Sequence, residues 1–153
     1  MTLFLAFLIG VFAGLRSLTP PALIAWAVYL GWLQLTGPLA LIGSIVAVVI
    51  FTLLALGELV ADKLPQTPSR TAPVGLIARI VTGALPGACI AAAGGVTLLA
   101  GAGLGASGGV AGCFGGYQAR KRIVQALGIR DIYIAVIEDL VAICGCLWVV
   151  TRF

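Results

Sequence analysis

The sequence contains no histidine and few charged residues of either sign. Of its 153 residues, nine are Lys or Arg, five are Asp or Glu, and none is His. Charged side chains make up 9% of the chain and hydrophobic ones 61%, whereas a soluble domain usually carries about 25% charged residues. There is too little polar surface to cover a water-soluble fold, so a soluble domain is a poor alternative.

The lack of histidine also weakens every catalytic or metal-binding interpretation. The four cysteines lie inside apolar segments, where cysteine usually behaves as a small buried residue. Cys144 and Cys146 alone make a weak site for a soft metal. The sequence has no nucleophile triad, phosphate-binding loop or dinucleotide fingerprint. It therefore predicts no catalytic residue, no cofactor and no metal.

Two long stretches have no charged side chain at all. They are residues 17–57 and residues 80–119, and each is long enough for two membrane spans of about 20 residues. Between them lies a polar hinge, which carries Glu58, Asp62, Lys63, Arg70 and Arg79. This pattern predicts a multi-pass, all-α integral membrane protein.

We predict one transmembrane domain, residues 1–153, built as a compact bundle of about six helices. The predicted helices cover about residues 2–18, 21–35, 38–61, 73–93, 106–127 and 131–151. The first two are short and suit a tilted or re-entrant pair. The first also lacks a basic n-region and a cleavage site, so it is predicted to be retained. The glycine-rich residues 94–105 are assigned to a turn. Two inverted three-helix halves are compatible with this order.

Glycines recur every fourth residue in the fifth predicted helix, at Gly108, Gly112 and Gly116. A helix face without side chains lets another helix approach the backbone closely. We expect close packing within the bundle, and the same glycine-rich faces are candidates for a homodimer contact.

The basic residues predict the orientation. Lys63 and Arg70 fall between helices 3 and 4, and Arg120, Lys121 and Arg122 fall at the end of helix 5. Since cytoplasmic loops are enriched in Lys and Arg, these junctions are predicted to be cytoplasmic and both termini to lie outside. The net charge of +4 has the same explanation and does not indicate nucleic acid. The expected location is the bacterial inner membrane.

The same topology brings ionisable residues from distant segments to one depth. Such groups are costly inside a membrane and usually pair or line a polar cavity. The predicted charged layer consists of Arg16, Glu58, Asp62, Arg79, Arg120, Glu138 and Asp139. Together with Lys63, these are the candidate substrate-binding residues. The alternative is that they snorkel to the interface or only tie helices together.

Five stretches carry a family resemblance: GLRSLTPPALIAW (14–26), GELVADKLPQTPSRTAP (57–73), ARIVTGALPGA (78–88), GGYQARKRIVQALG (115–128) and IEDLVAI (137–143). Together they resemble the bacterial membrane family known as domain-of-unknown-function family 4126. The most specific parts are Asp62-Lys63-Leu64-Pro65, within the polar hinge, and the Glu138-Asp139 pair. The resemblance implies a multi-pass inner-membrane protein and carries no established activity.

Three classes of function stay open. The first is a small transporter or permease, in which the arginines bind an anionic or polar substrate and Glu58 or Glu138 carries a coupled proton. The second is a membrane enzyme acting on a lipid or isoprenoid phosphate, with Arg79, Arg120 and Lys121 holding the phosphate and Asp62 or Glu138 as general base. The third is a non-catalytic scaffold or assembly factor. The transporter is the preferred hypothesis, with membrane lipid and a small substrate as partners.

Overall fold

The computed structural model describes residues 1–61, 72–128 and 131–153. In these ranges the chain is all-helical, with six α-helices and one 3₁₀ helix. The α-helices are α1 (Thr2–Leu15), α2 (Thr19–Tyr29), α3 (Ile45–Ala61), α4 (Pro73–Ala93), α5 (Leu98–Leu127) and α6 (Asp131–Val150), and the 3₁₀ helix, Gly37–Gly43, precedes α3.

Among the described helices, α4, α5 and α6 are each long and apolar enough to cross a membrane. The 3₁₀ helix and α3 add a fourth span if the bent pair counts as one. By contrast, α1 has 14 residues and α2 has 11, fewer than the roughly 20 that a full span needs. The chain is thus an all-helical membrane protein, but these lengths do not give six full spans.

The third predicted helix, residues 38–61, is not continuous. It is interrupted at Ser44, and its two parts are bent by 60°. The Ser44 backbone is extended, and its hydroxyl accepts the N–H of Ala47 at 3.2 Å. Serine is a favoured N-cap because its oxygen satisfies an N–H that the first turn leaves free. Ser44 therefore starts a new helix where hydropathy alone predicted one long segment.

The second predicted helix, residues 21–35, ends early. It stops at Tyr29 because Gly31 takes a left-handed conformation with φ of 76°. The N–H of Trp32 then bonds to the carbonyl of Ala27 at 2.9 Å, and the N–H of Gly31 to that of Val28 at 3.1 Å. These two bonds form a Schellman motif, which closes the helix and satisfies its last carbonyls.

The fifth predicted helix, residues 106–127, begins eight residues too late, because α5 already starts at Leu98. Gly94 and Gly95 do lie in a turn, but Gly101 and Gly105 lie inside the helix and are buried against its neighbours α4 and α1. A Cβ on Gly105 would overlap the carbonyl oxygen of Gly83, and one on Gly10 would overlap the carbonyl oxygen of Gly105. Close backbone packing thus outweighs the low helix propensity of glycine.

Two of the three glycines that recur every fourth residue also pack within the chain. Gly108 and Gly112 are buried against the backbone of α1, near Phe7 and Val11. These two glycines are therefore not available for contact with a second copy.

On the other side of the fold, α2 packs against α3, α4 and α6. The buried hydrophobic core includes Ile9, Ile24, Leu33, Ile90 and Val149.

Candidate functional site

The feature that organises the site is a buried interruption between α1 and α2, which we call the helix break (Arg16, Ser17 and Leu18). α1 ends at Leu15 and Arg16 has an extended backbone. Arg16 is fully buried, and Ser17 is 8% exposed. A helix end leaves carbonyl or N–H groups without helical partners, and inside a membrane protein these groups need partners from elsewhere in the chain.

Glu58, in the last turn of α3, accepts hydrogen bonds from the backbone N–H groups just before α2. One carboxylate oxygen accepts the N–H of Ser17 at 2.8 Å and its hydroxyl at 2.6 Å. The other oxygen accepts the N–H of Leu18 at 2.8 Å. A carboxylate at a helix N-terminus is stabilised by charge-assisted hydrogen bonds and by the helix dipole. Glu58 thus acts as a cap for α2 that is supplied from another helix.

Arg79, in the second turn of α4, donates a hydrogen bond to a backbone carbonyl in the last turn of α1. Its Nε donates to the carbonyl oxygen of Gly14 at 3.0 Å, and one Nη donates to that of Gly75 at 3.2 Å. The residue is 5% exposed, and its hydrogen bonds within the described residues go to backbone carbonyls. A cation at a helix C-terminus is favourable for the same electrostatic reason as an anion at the N-terminus.

Arg16 and Asp139 form a buried ion pair between the helix break and α6. The Nε and one Nη of Arg16 contact the same Asp139 oxygen. The Arg16 side chain is fully buried, and that of Asp139 is 11% exposed. Because the two residues are 123 positions apart, this pair fixes α6 against the junction of the first two helices.

Arg120 joins α5 to α6 through two carboxylates. Its Nε donates to Asp131 at 2.7 Å, a second nitrogen also contacts Asp131, and Nη1 donates to Glu138 at 3.4 Å. Side-chain exposure falls from 61% at Asp131 to 19% at Arg120 and 8% at Glu138. Glu138 precedes Asp139 on α6, so this second ion pair adjoins the first.

Most of the predicted charged layer is thus brought together around the helix break. Arg16 and Asp139 pair directly, Glu58 and Arg79 bond to the two helix ends, and Arg120 reaches Glu138. Asp62 and Lys63 were predicted for the same site and lie outside the described residues. Lys121, the further phosphate contact of the enzyme hypothesis, is exposed.

Sequence reasoning missed four participants in the site. The backbone amides of Ser17 and Leu18 and the carbonyl of Gly14 act as partners for charged groups, and main-chain groups leave no mark in a sequence pattern. Asp131 was placed at the start of a helix without a role in the site. Asp131 lies only three residues after Gly128, the residue that follows α5. This short connection was the available signal that Asp131 could reach Arg120 on α5.

An apolar cavity of about 180 Å³ opens beside the helix break. It begins at Thr19 and runs along α2 and α3 to Trp26, whose indole N–H donates to the hydroxyl of Thr52 at 3.0 Å. The other lining residues are Ala22, Leu23, Ala55, Leu56, Leu59 and Ile143. The polar break therefore lies next to an apolar space.

Comparison with known proteins identifies a family. The model of the family described as "Domain of unknown function (DUF4126)" matches residues 3–151. The chain belongs to this family. Neither the curated proteins nor the solved structures include a match to the chain. Membership confirms the resemblance that the sequence motifs indicated and adds no activity.

The capping role of Glu58 leads to a first prediction. Glu58→Gln is expected to lower the free energy of unfolding by about 1–2 kcal/mol, because an amide removes the charge and one acceptor from the start of α2. The measurement is unfolding of the purified protein in mixed micelles titrated with a denaturing detergent. Gly57→Ala is the neighbouring control, since a Cβ there meets nothing within 4 Å and alanine favours the helix, so it should cause no loss of stability. Equal stability of Glu58→Gln and wild type would contradict the role.

Proposed function

We propose that this protein is a small multi-pass transporter or permease that binds an anionic or polar substrate at the helix break. The observation that carries the proposal is the buried break, whose two helix ends are bonded by Glu58 from α3 and Arg79 from α4. In many secondary transporters, discontinuous helices at membrane depth build the substrate site. Non-helical backbone at that depth is tolerated where protein or a polar cavity surrounds it.

Glu58 gives the proposed transporter a means of coupling to protons. Its carboxylate accepts the amide hydrogens of Ser17 and Leu18, which are also the groups that an anionic substrate would use. When Glu58 takes up a proton, its charge is removed and the substrate anion replaces it at the start of α2. The charge at the break is then the same before and after binding, which avoids the cost of an added charge inside the membrane. Glu138 is the alternative proton carrier.

The arrangement in the membrane forms part of the same proposal. α1 and α2 are a short, re-entrant pair, and the bent α3 segment, α4, α5 and α6 complete about six segments in two inverted halves. The exposed Lys121 and Arg122 face the cytoplasm of a bacterium and both termini lie outside. The ring of Trp148, 4.5 Å from the Arg152 guanidinium, marks the outer interface. A homodimer would use an open glycine such as Gly115.

A ligand screen tests the transporter. Purified wild type is heated with acetate, succinate, inorganic phosphate or a zwitterionic amino acid at pH 5 and pH 8. We expect one class to stabilise it, by about 2.7 kcal/mol at a hundredfold excess over Kd, and more strongly at pH 5. Glu58→Gln, which mimics the protonated carboxyl, should bind equally at both pH values, and Arg79→Ala should lose the response.

Lys121→Gln is the matched control, because it removes an exposed cation on α5 and should keep the wild-type response. The transporter proposal fails if no compound stabilises wild type, or if all four proteins respond alike. A compound that passes is then tested for uptake into proteoliposomes with an imposed proton gradient.

Two other functions have observations in their favour. The mutual pairing of Arg16 with Asp139 and of Arg120 with Glu138 favours a non-catalytic scaffold, which predicts lower stability in charge variants and no ligand response. The apolar cavity beside Thr19 favours an enzyme that acts on a lipid or isoprenoid phosphate. Magnesium-dependent release of phosphate from such a lipid would identify it.

A further inference from the structure

A graded series of charged side chains leads from the surface to the helix break. Asp131 is 61% exposed, Arg120 is 19% exposed, Glu138 is 8% exposed and Arg16 is fully buried. Asp131 contacts Arg120, which in turn contacts Glu138. Asp139 follows Glu138 on α6, is 11% exposed and pairs with Arg16. The series is therefore a polar path through the described residues from the surface to Arg16 in the helix break.

The packing around this path is uneven. α5 is held tightly against α1 and α4 by its glycines, whereas it has little contact with α6. α6 instead packs against α1 and α2. Arg120 bridges the loosely packed side with three of its nitrogens, two on Asp131 and one on Glu138. Separating α5 from α6 near this point would break ion pairs and little apolar packing.

We infer that Arg120, with Asp131 and Glu138, forms a gate between α5 and α6 that keeps water from the helix break. This inference rests on the proposed function, because it assigns the gate to the substrate site of that function. Arg120 is suited to the task, since a guanidinium can bridge two carboxylates in a fixed plane. Opening would expose the buried Arg16 and Ser17 to water without unfolding the glycine-packed helices.

Accessibility of the break to a thiol reagent tests the gate. A Ser17→Cys reporter is placed in a Cys144→Ser background, which removes the exposed native cysteine and keeps the buried Cys89, Cys113 and Cys146. The full-length protein in nanodiscs is treated with a charged methanethiosulfonate, and the labelled cysteine is identified by mass spectrometry. We expect Arg120→Gln to raise the labelling rate of residue 17 about tenfold, because labelling follows the population of the open form.

Two further variants decide the interpretation. Arg120→Lys keeps the positive charge but not the planar group that bridges both carboxylates, so its labelling rate should lie between those of wild type and Arg120→Gln. Lys121→Gln removes a neighbouring exposed charge and should leave the rate unchanged. The gate is overturned if Arg120→Gln labels at the wild-type rate, if Lys121→Gln labels as fast as Arg120→Gln, or if the three buried cysteines are labelled in parallel, which indicates unfolding.

The labelling experiment and the ligand screen can fail independently. Unchanged labelling together with ligand stabilisation of wild type would remove the gate and keep the transporter. Faster labelling in Arg120→Gln without any ligand response would keep a water gate and remove the transporter.

Discussion

Replacing Arg16 by Met, or Asp139 by Leu, is expected to destabilise the protein by about 3–5 kcal/mol, because each change leaves one buried charge without its partner. The pair joins the helix break to α6, and Arg16 is fully buried. The double variant, with Arg16→Met and Asp139→Leu together, is expected to recover most of the loss. A well-packed apolar pair can replace a buried ion pair at little net cost, since neither charge then has to be desolvated.

A double-mutant cycle measures this effect. The free energy of unfolding is determined for wild type, both single variants and the double variant by titration with a denaturing detergent in mixed micelles. Arg122→Met is the matched control, because Arg122 is exposed and should change stability by no more than about 0.5 kcal/mol. Additive losses in the double variant would show that the two side chains do not act as a pair.

Gly105→Ala is expected to have the second-largest effect. Gly105 lies where α5 meets α4 and α1, and a Cβ there would overlap the carbonyl oxygen of Gly83 and crowd Gly87. These neighbours are backbone atoms on rigid helices, so the helices have to move apart. Overpacking of this kind costs about 1–3 kcal/mol and occasionally more. A lower free energy of unfolding in mixed micelles is the expected result.

Gly103→Ala, two residues away, is expected to raise the free energy of unfolding instead of lowering it. Gly103 is exposed, and a Cβ there meets nothing within 4 Å. Alanine has the higher helix propensity, so this change is expected to stabilise the helix by up to about 1 kcal/mol. Losses of equal size at both positions would mean that the tight contacts of Gly105 do not limit stability.

Local sequence signals found several helix boundaries. Pro73 starts α4 and Asp131 starts α6, as predicted, because proline and acidic residues are favoured in the first turn. Gly128 follows α5 in the left-handed conformation, with φ of 61°, as expected for a glycine after a helix. These boundaries depend on the residue at one position, so the sequence alone carries the information.

Boundaries that depend on packing were missed. Residues 98–105 read as a turn because glycine is a poor helix former on its own, and they are helical because α1 and α4 pack against them. The interruption at Ser44 had a capping signal, but the surrounding hydropathy is continuous and masked it. The contacts that decide residues 98–105 are thus made by other helices, whereas the Ser44 cap is local and bonds to Ala47, three residues on.

The sequence by itself determined the class of protein, and it predicted that its ionisable residues share one layer. Each ionisable side chain is so costly in the membrane that its spacing from its neighbours constrains where the spans lie. The tertiary structure alone decided what those charges contact. Glu58 bonds to backbone amides about forty residues away, and Arg16 pairs with Asp139, 123 residues away. Such partners are set by how the helices pack, since a short-range directional bond forms only where packing brings donor and acceptor together.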